Sequence, residues 1–261
     1  MKLIKISLFL FVVSMVALAF KDRKPVLYII GDSTVKNGDG RTSNQLQGWG
    51  SFMTAFFDTT KISLQNHAIG GRSSRTFLTE GRWDKIMADL QPGDFVIMQF
   101  GHNDSGPLDD SARARGTIKG TGDDSTKIYN PIRKTEEWVH SYGWYLRKFV
   151  NDAKAKGATA IICSPIPRND WKEGKVQRSN DGYTKWAKET AESTNAYYID
   201  LNNKLGDAYE KLGRDSTSKF FPQEHTHTNG AGAAFNAGVV VNGMKDLKKS
   251  PLKKYLLSSI K

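Results

Sequence analysis

Five short apolar segments recur along the chain, and each is followed by a longer stretch with apolar residues at helical spacing. The segments that predict buried strands are residues 26–30, 62–65, 95–100, 159–163 and 197–200. The stretches that predict helices are residues 46–57, 82–90, 138–155, 183–195, 203–212 and 231–247. Strands that alternate with helices form a parallel sheet with helices on both faces. The sequence therefore predicts an α/β fold, a three-layer α/β/α sandwich built on a five-stranded parallel sheet.

Polar and glycine-containing clusters follow four of these strands directly. They are residues 31–34 (GDST), 66–73 (NHAIGGRS), 101–104 (GHND) and 164–168 (SPIPR). Ligands bind beyond the carboxyl ends of parallel strands, which meet at one edge of the sheet, so we expect these clusters to lie together. Residues 105–134 are the least regular part of the chain and predict a long loop packed over this edge.

The amino terminus has the pattern of a secretory signal peptide. Basic residues precede an apolar run over residues 6–20, and an Ala-x-Ala site lies near the end of that run. The run is short for a membrane span. We therefore expect a signal peptide over residues 1–19, one domain over residues 20–261, and a secreted or periplasmic protein. Cys163 is the only cysteine, so an intrachain disulfide is excluded.

The formal charge of +11 at pH 7 narrows the choice of partners. An exported basic protein can meet nucleic acid, an acidic polysaccharide or an anionic surface. The sequence has no zinc-finger spacing and no RNA-recognition motif, and most of its basic residues are scattered. Nucleic acid is therefore weakly supported, and a polyanionic glycan is at least as reasonable a partner.

Ser33 allows two interpretations. Asp, Ser and Thr after a strand are good N-cap residues, and residues 31–34 taken alone favour a helix N-cap. The same kind of turn can also hold a serine nucleophile. Three further segments favour the nucleophile, namely residues 70–73 (GGRS), 101–104 (GHND) and 224–227 (EHTH).

These four segments, in this order, resemble the SGNH (GDSL-like) hydrolases, whose name records a Ser, a Gly, an Asn and a His in four separate blocks. The similarity covers nearly all of the chain after the signal peptide. Five further segments narrow the resemblance to the rhamnogalacturonan acetylesterases: residues 48–50 (GWG), 116–122 (GTIKGTG), 140–144 (HSYGW), 164–168 (SPIPR) and 225–228 (HTHT).

The resemblance implies a flavodoxin-like version of the fold and a secreted serine esterase. Such an enzyme removes O-acetyl groups from a plant cell-wall polysaccharide, here rhamnogalacturonan in pectin, through an acetyl-serine intermediate. It requires no cofactor. The expected partner is an acetylated acidic polysaccharide or oligosaccharide, with no nucleic acid, no membrane after signal cleavage and a monomeric state.

The resemblance also implies a role for individual residues. Ser33 would be the nucleophile, His227 the base, and Glu224 the carboxylate that orients the imidazole. The group usually has Asp where Glu224 stands, and Glu adds one methylene and one rotor. The oxyanion hole would combine the backbone N–H groups of Ser33 and Gly71 with the side-chain amide of Asn103.

Four residues are candidates for contacts with the sugar chain. Arg72, Arg75 and Arg168 lie near the predicted edge and could bind galacturonate carboxylates, with ordinary surface ion pairs as an equal alternative. Trp171 follows the fourth polar cluster and is the candidate for stacking on a sugar ring.

Two alternatives stay open at this point. His225 and His227 beside Glu224 also match a metal-binding pattern, but no further ligand cluster is evident in the sequence, and no metal is expected. The function could instead be that of an esterase for another acetyl ester (xylan, sialate or lipid) or of a non-catalytic glycan-binding relative. The Glu at position 224 is the reason to keep the last option.

Overall fold

The computed structural model of the protein describes residues 23–38 and 46–259, so the predicted signal peptide over residues 1–19 lies outside the described residues. The strands in chain order are β1 Val26–Gly31, β2 Ser63–Asn66, β3 Phe95–Gln99, β4 Ser125–Asn130, β5 Thr135–His140, β6 Thr159–Cys163, β7 Trp171–Lys172, β8 Lys175–Val176 and β9 Tyr197–Ile199. The α-helices are Ser74–Thr79, Arg82–Asp89, Tyr142–Ala155, Tyr183–Thr194, Leu201–Leu212, Arg214–Ser218 and Gly230–Asp246. Trp49–Phe56 and Pro251–Tyr255 are 3₁₀ helices. Within the described ranges, no helix combines the length and the hydrophobicity that a membrane crossing requires.

Five strands form a parallel sheet in the order β2-β1-β3-β6-β9. The register places Ile29 of β1 between Asn66 of β2 and Ile97 of β3. The bounds of all five strands agree with the predicted segments to within one residue. The predicted α/β fold with a five-stranded parallel sheet is therefore confirmed.

Two apolar cores cover the two faces of this sheet. Along β3, Phe95 and Ile97 belong to one core, and Val96 and Met98 belong to the other. The first core is closed by Trp49–Phe56, Leu201–Leu212 and Gly230–Asp246, and the second by Arg82–Asp89, Tyr142–Ala155 and Tyr183–Thr194. Because both faces of β1, β3 and β6 are buried, these strands read as nearly continuous apolar runs. The edge strand β2 differs, since its sequence is SLQN and two of its four residues are exposed. Full burial of one such side chain contributes about 1.5–3 kcal/mol.

The structure differs from the sequence prediction around residue 138. Strands β4 and β5 form an antiparallel hairpin, so the end of the predicted loop over residues 105–134 and the start of the predicted helix over 138–155 are both strands. The helix begins only at Tyr142, where the Ser141 hydroxyl caps it by accepting a hydrogen bond from the Trp144 N–H. Val139 is buried one position before His140, and its spacing to Tyr142 imitated a helical pattern.

Candidate active site

The turn after β1 places Ser33 at the carboxyl edge of the sheet. Buried Asp32 accepts hydrogen bonds from the N–H (2.8 Å) and the hydroxyl (2.7 Å) of Thr34. Gln99 Nε2 donates to Thr34 Oγ1 (2.6 Å), and Trp49 Nε1 donates to Gln99 Oε1 (2.8 Å). This buried network fixes the turn, while Ser33 itself is only half-buried.

Ser33, His227 and Glu224 form a continuous chain of hydrogen bonds. His227 Nε2 lies 2.7 Å from Ser33 Oγ, and His227 Nδ1 lies 2.6 Å from Glu224 Oε1. Ser33 and His227 are 194 positions apart in the sequence, so only the fold brings them together. A neutral imidazole that carries its proton on Nδ1 has a free lone pair on Nε2, which can accept the serine proton.

Three donors hold the carboxylate of Glu224 in place. Oε1 accepts from the backbone N–H of His227 (2.7 Å) as well as from its ring, and Oε2 accepts from the N–H of Thr226 (2.9 Å). Partial burial acts to raise the pKa of Glu224, but these hydrogen bonds outweigh it, and the pKa lies below its usual value. The extra methylene of Glu therefore does not leave this carboxylate loosely placed.

The three groups predicted to bind the oxyanion are the backbone N–H groups of Ser33 and Gly71 and the side-chain amide of Asn103. Gly71 has a φ of 78°, a left-handed conformation that favours glycine, and a Cβ on Gly70 would lie 3.7 Å from Ser33 Cβ. Asn103 Nδ2 donates one hydrogen bond to the Arg72 carbonyl (3.0 Å) and keeps a second N–H. Among the described residues, nothing accepts a hydrogen bond from the backbone N–H of Ser33 or Gly71. Each of the three groups thus keeps an N–H without an acceptor among the described residues, and their role as an oxyanion hole stays a prediction.

The sequence profile of the GDSL-like lipase/acylhydrolase family matches residues 29–235, a stretch that includes Ser33, Gly71, Asn103 and His227. The chain belongs to this family. The resemblance seen in the four sequence segments is thereby confirmed, and this GDSL-family protein is a carboxylic ester hydrolase.

This GDSL-family hydrolase is similar in sequence to several named esterases and in fold to several solved structures. A rhamnogalacturonan acetylesterase from Emericella nidulans is 32% identical over 224 residues, covering 84% of this chain and 86% of the relative. The Bacillus subtilis rhamnogalacturonan acetylesterase RhgT is 29% identical over 252 residues, covering 90% and 96%. The solved structure of B. subtilis YxiM has a TM-score of 0.69 at 25% identity, over 85% of this chain and 56% of that chain. An acetylxylan esterase from Geobacillus stearothermophilus, with a TM-score of 0.57 at 18% identity over 84% and 94%, shows the fold alone.

Asp104 connects the segments that carry Gly71 and Asn103. Its buried Oδ1 accepts hydrogen bonds from the N–H (3.1 Å) and the hydroxyl (2.5 Å) of Ser74, at the start of the helix that follows Gly71. Its carbonyl accepts from the N–H of Thr117 (2.9 Å) in the overlying loop. Burial raises the pKa of Asp104 to about 7, against the opposing effect of the Ser74 hydrogen bonds.

The raised pKa of Asp104 predicts a specific dependence of stability on pH. Between about pH 4 and pH 7, Asp104 is protonated in the folded protein but ionised in the unfolded chain. The free energy of unfolding therefore falls as pH rises through this window, by up to about 4 kcal/mol. Asp104→Asn removes the titrating group and keeps an acceptor for Ser74. We expect the free energy of unfolding in urea to fall more steeply with pH in the wild type than in Asp104→Asn, and parallel pH profiles would contradict this assignment.

Arg75 does not have the role that the sequence suggested. Its side chain is fully buried, Nε donates to Glu137 Oε1 (2.5 Å), and Nη1 donates to the carbonyls of Leu108 (2.8 Å) and Gly116 (2.9 Å). The expectation that Arg75 binds a substrate carboxylate is therefore wrong. The residue instead ties the hairpin β4–β5 and the loop before it to the helix Ser74–Thr79.

The other three candidates for sugar contacts lie at or near the surface. Arg72 Nε donates to Glu80 Oε2 (3.1 Å), and 35% of the side chain is exposed. Arg168 is exposed, and no acidic side chain of the described residues lies within ion-pair distance of it. Trp171 is half-buried at the start of β7, and its indole N–H donates to Asn169 Oδ1 (2.8 Å). Their contacts with sugar stay predictions.

The two histidines of the last segment separate in the structure. His225 Nδ1 lies 2.7 Å from Asp170 Oδ1, whereas His227 contacts Ser33 and Glu224. Within the described parts of the chain, no group of three His, Cys, Asp or Glu side chains is arranged to hold a metal. The contact of Asp170 with His225 could not be predicted from the sequence, because a partner 55 positions away leaves no local signal.

Proposed function

We propose that this GDSL-family hydrolase is an exported carbohydrate acetylesterase that removes O-acetyl groups from rhamnogalacturonan in pectin. The chain of hydrogen bonds from Ser33 through His227 to Glu224 carries the proposal. The names of the relatives from E. nidulans and B. subtilis support the substrate, and the charge of +11 favours a polymer with carboxylate groups. The proposal includes a signal peptide over residues 1–19, a single domain from residue 20 onwards, and no cofactor.

The reaction proceeds in two halves. Ser33 Oγ attacks the acetyl carbonyl carbon, and His227 Nε2 takes the hydroxyl proton while Glu224 stabilises the imidazolium. The N–H groups of Ser33 and Gly71 and the amide of Asn103 bind the oxyanion. The bond from the acetyl carbon to the sugar oxygen then breaks, and that oxygen takes the proton from His227. In the second half, His227 deprotonates a water that attacks the acetyl-serine, and acetate leaves as Ser33 recovers its proton.

The alternative of a non-catalytic glycan-binding relative rested on the Glu at position 224. In the structure both oxygens of Glu224 are held by hydrogen bonds, and the ring of His227 lies within bonding distance of both Glu224 and Ser33. A binding module would have no need for this alignment. The geometry therefore favours the esterase.

Acetate release from a panel of acetylated glycans tests the proposal. The panel contains rhamnogalacturonan, xylan and sialate-bearing glycan, with p-nitrophenyl acetate as a small ester and Ser33→Ala as the control. We expect the highest kcat/KM on rhamnogalacturonan, no change in EDTA, and no release by Ser33→Ala. A preference for xylan or sialate would replace the substrate in the proposal, and absence of hydrolysis of every ester would replace the esterase by a binding protein.

Asn103→Ala should lower kcat by about two to three orders of magnitude, because it removes one donor to the oxyanion. Asn103 is largely buried, so circular dichroism should accompany the kinetic assay. Asn242→Ala, on the exposed face of the helix Gly230–Asp246, is the matched control and should leave kcat unchanged. An unchanged kcat in a folded Asn103→Ala variant would remove Asn103 from the mechanism.

A further inference from the structure

A cavity of about 500 Å³ opens next to the segments that carry the proposed active site. Its walls come from residues 101–102 after β3, residues 165–168 after β6, residues 177–181, and the first turn of the helix Tyr183–Thr194. Protein sites for small ligands commonly measure about 300–1,000 Å³, so this volume can hold a ligand. None of the residues in the proposed triad or oxyanion hole lines this cavity.

Asp170 joins the cavity to the segment that carries the catalytic imidazole. Asp170 borders the cavity, and its Oδ1 lies 2.7 Å from His225 Nδ1. The N–H of the preceding Asn169 donates to the carbonyl of His225 (2.7 Å). His225 is only two positions before His227, so one wall of the cavity is bonded directly to the segment of the triad.

His102 forms a second connection between the cavity and the proposed active site. It borders the cavity and immediately precedes Asn103 in the chain. Burial of the imidazole lowers its pKa. The cavity wall is therefore continuous along the chain with the residue proposed to bind the oxyanion through its amide.

The two arginines that border the cavity differ in what they bind. Arg178 is held by Asp207 (2.7 Å) and Glu210 (3.0 Å), and its charge is neutralised by those carboxylates. Arg168 is exposed and forms no ion pair with any side chain of the described residues. A guanidinium in this state has its planar set of donors free for a carboxylate of a ligand.

The remaining lining suits a sugar ring. Gln177, Ser179, Asn180 and Asp181 are exposed on the wall between β8 and the helix Tyr183–Thr194, and they offer donors and acceptors for hydroxyl groups. Residues 165–167 of the lining are two prolines and an isoleucine, which can contact the apolar face of a pyranose. The cavity thus combines apolar contacts and hydroxyl partners with the unpaired guanidinium of Arg168, and the carboxylate of Asp181 also borders it.

We propose that this cavity is a subsite for a uronate residue of the acetylated glycan, and that Arg168 binds the carboxylate of that uronate. The inference rests on the proposed function, because it requires an acetylated acidic glycan as substrate. It makes Arg168 a determinant of substrate specificity that takes no part in the chemistry at Ser33.

Three variants test the subsite. They are Arg168→Ala, Arg168→Lys and a control, Lys85→Ala, on the helix Arg82–Asp89. Each protein is assayed on p-nitrophenyl acetate, on acetylated rhamnogalacturonan oligosaccharides, and on the same oligosaccharides with methyl-esterified carboxyls. We expect Arg168→Ala to lower kcat/KM on the acidic oligosaccharides by about 10- to 100-fold, mainly through KM, because a hydrogen-bonded charge pair is lost. Rates on p-nitrophenyl acetate should stay unchanged, and Arg168→Lys should lie in between because it keeps the charge without the planar fork.

Methyl esterification should lower kcat/KM for the wild type and leave Arg168→Ala unaffected. Equal rates of the wild type on both forms, or an unchanged kcat/KM of Arg168→Ala on the acidic form, would overturn the subsite while leaving the acetylesterase intact. A loss on p-nitrophenyl acetate equal to that on the oligosaccharides would also overturn it. Hydrolysis of p-nitrophenyl acetate without hydrolysis of either oligosaccharide would instead refute the proposed substrate, and the subsite with it.

Discussion

Ser33→Ala is expected to lower kcat for acetyl ester hydrolysis by about 10⁴- to 10⁶-fold, because it removes the only atom that forms the covalent intermediate. His227 Nε2 lies 2.7 Å from Ser33 Oγ, and without that hydroxyl the imidazole has no nucleophile to deprotonate except water. The oxyanion donors and the binding of the sugar remain, so a small residual rate above the uncatalysed reaction should persist. Kinetics on p-nitrophenyl acetate and acetylated rhamnogalacturonan measure the loss.

The control for this variant must show that the fold is retained. Ser33 is half-buried, and removal of its hydroxyl should change the thermal midpoint by only a few degrees, since one hydrogen bond contributes about 1 kcal/mol. Ser193→Ala, near the end of the helix Tyr183–Thr194, is a matched serine substitution that should retain full activity. An organophosphonate should label Ser33 of the wild type in peptide mass spectra. A Ser33→Ala protein with more than a hundredth of wild-type kcat would exclude Ser33 as the nucleophile.

The central strands of the sheet could be predicted from the sequence because burial on both faces requires a nearly continuous apolar run. Residues 95–99 and 159–163 are apolar at nearly every position, since neighbouring side chains enter different cores. The hairpin β4–β5 could not be predicted in the same way. Glu137 of the hairpin is bonded to Arg75 on the helix Ser74–Thr79, whereas Tyr129 and Trp138 are exposed. The apolar residues of the hairpin therefore do not follow the pattern of a buried strand.

The residues around the proposed active site show the same difference between local patterns, which the sequence reveals, and long-range contacts, which it does not. Glu224 and His227 lie three positions apart, and that spacing alone lets one turn join the carboxylate to the ring. Contacts between distant segments have no such signature. The pairing of Arg75 with Glu137 spans 62 positions and that of Asp170 with His225 spans 55. The sequence therefore suggested a surface position for Arg75 and no role for Asp170. Only the folded structure shows the contacts that these two residues make.

Glu224→Gln is expected to lower kcat by about 10³- to 10⁴-fold, the next largest effect after the serine substitution. The neutral amide can still accept from the N–H groups of Thr226 and His227, but it no longer stabilises the imidazolium. An amide N–H turned towards Nδ1 would also force the ring proton onto Nε2, where it blocks transfer from Ser33. Separate measurements of kcat and KM should show the loss in kcat. Glu192→Gln, on the helix Tyr183–Thr194, is the control substitution outside the proposed active site.

Glu224→Asp distinguishes a structural requirement for Glu from a requirement for any carboxylate. Aspartate keeps the charge but is one methylene shorter than the side chain that now spans the N–H groups of Thr226 and His227 and the ring. Displacement of a catalytic group by about 1 Å costs up to about 100-fold in rate, so we expect Glu224→Asp to retain more activity than Glu224→Gln. Equal losses in both variants would show that the placement of the carboxylate matters as much as its charge, and full activity of Glu224→Gln would show that the imidazole of His227 works without an anionic partner.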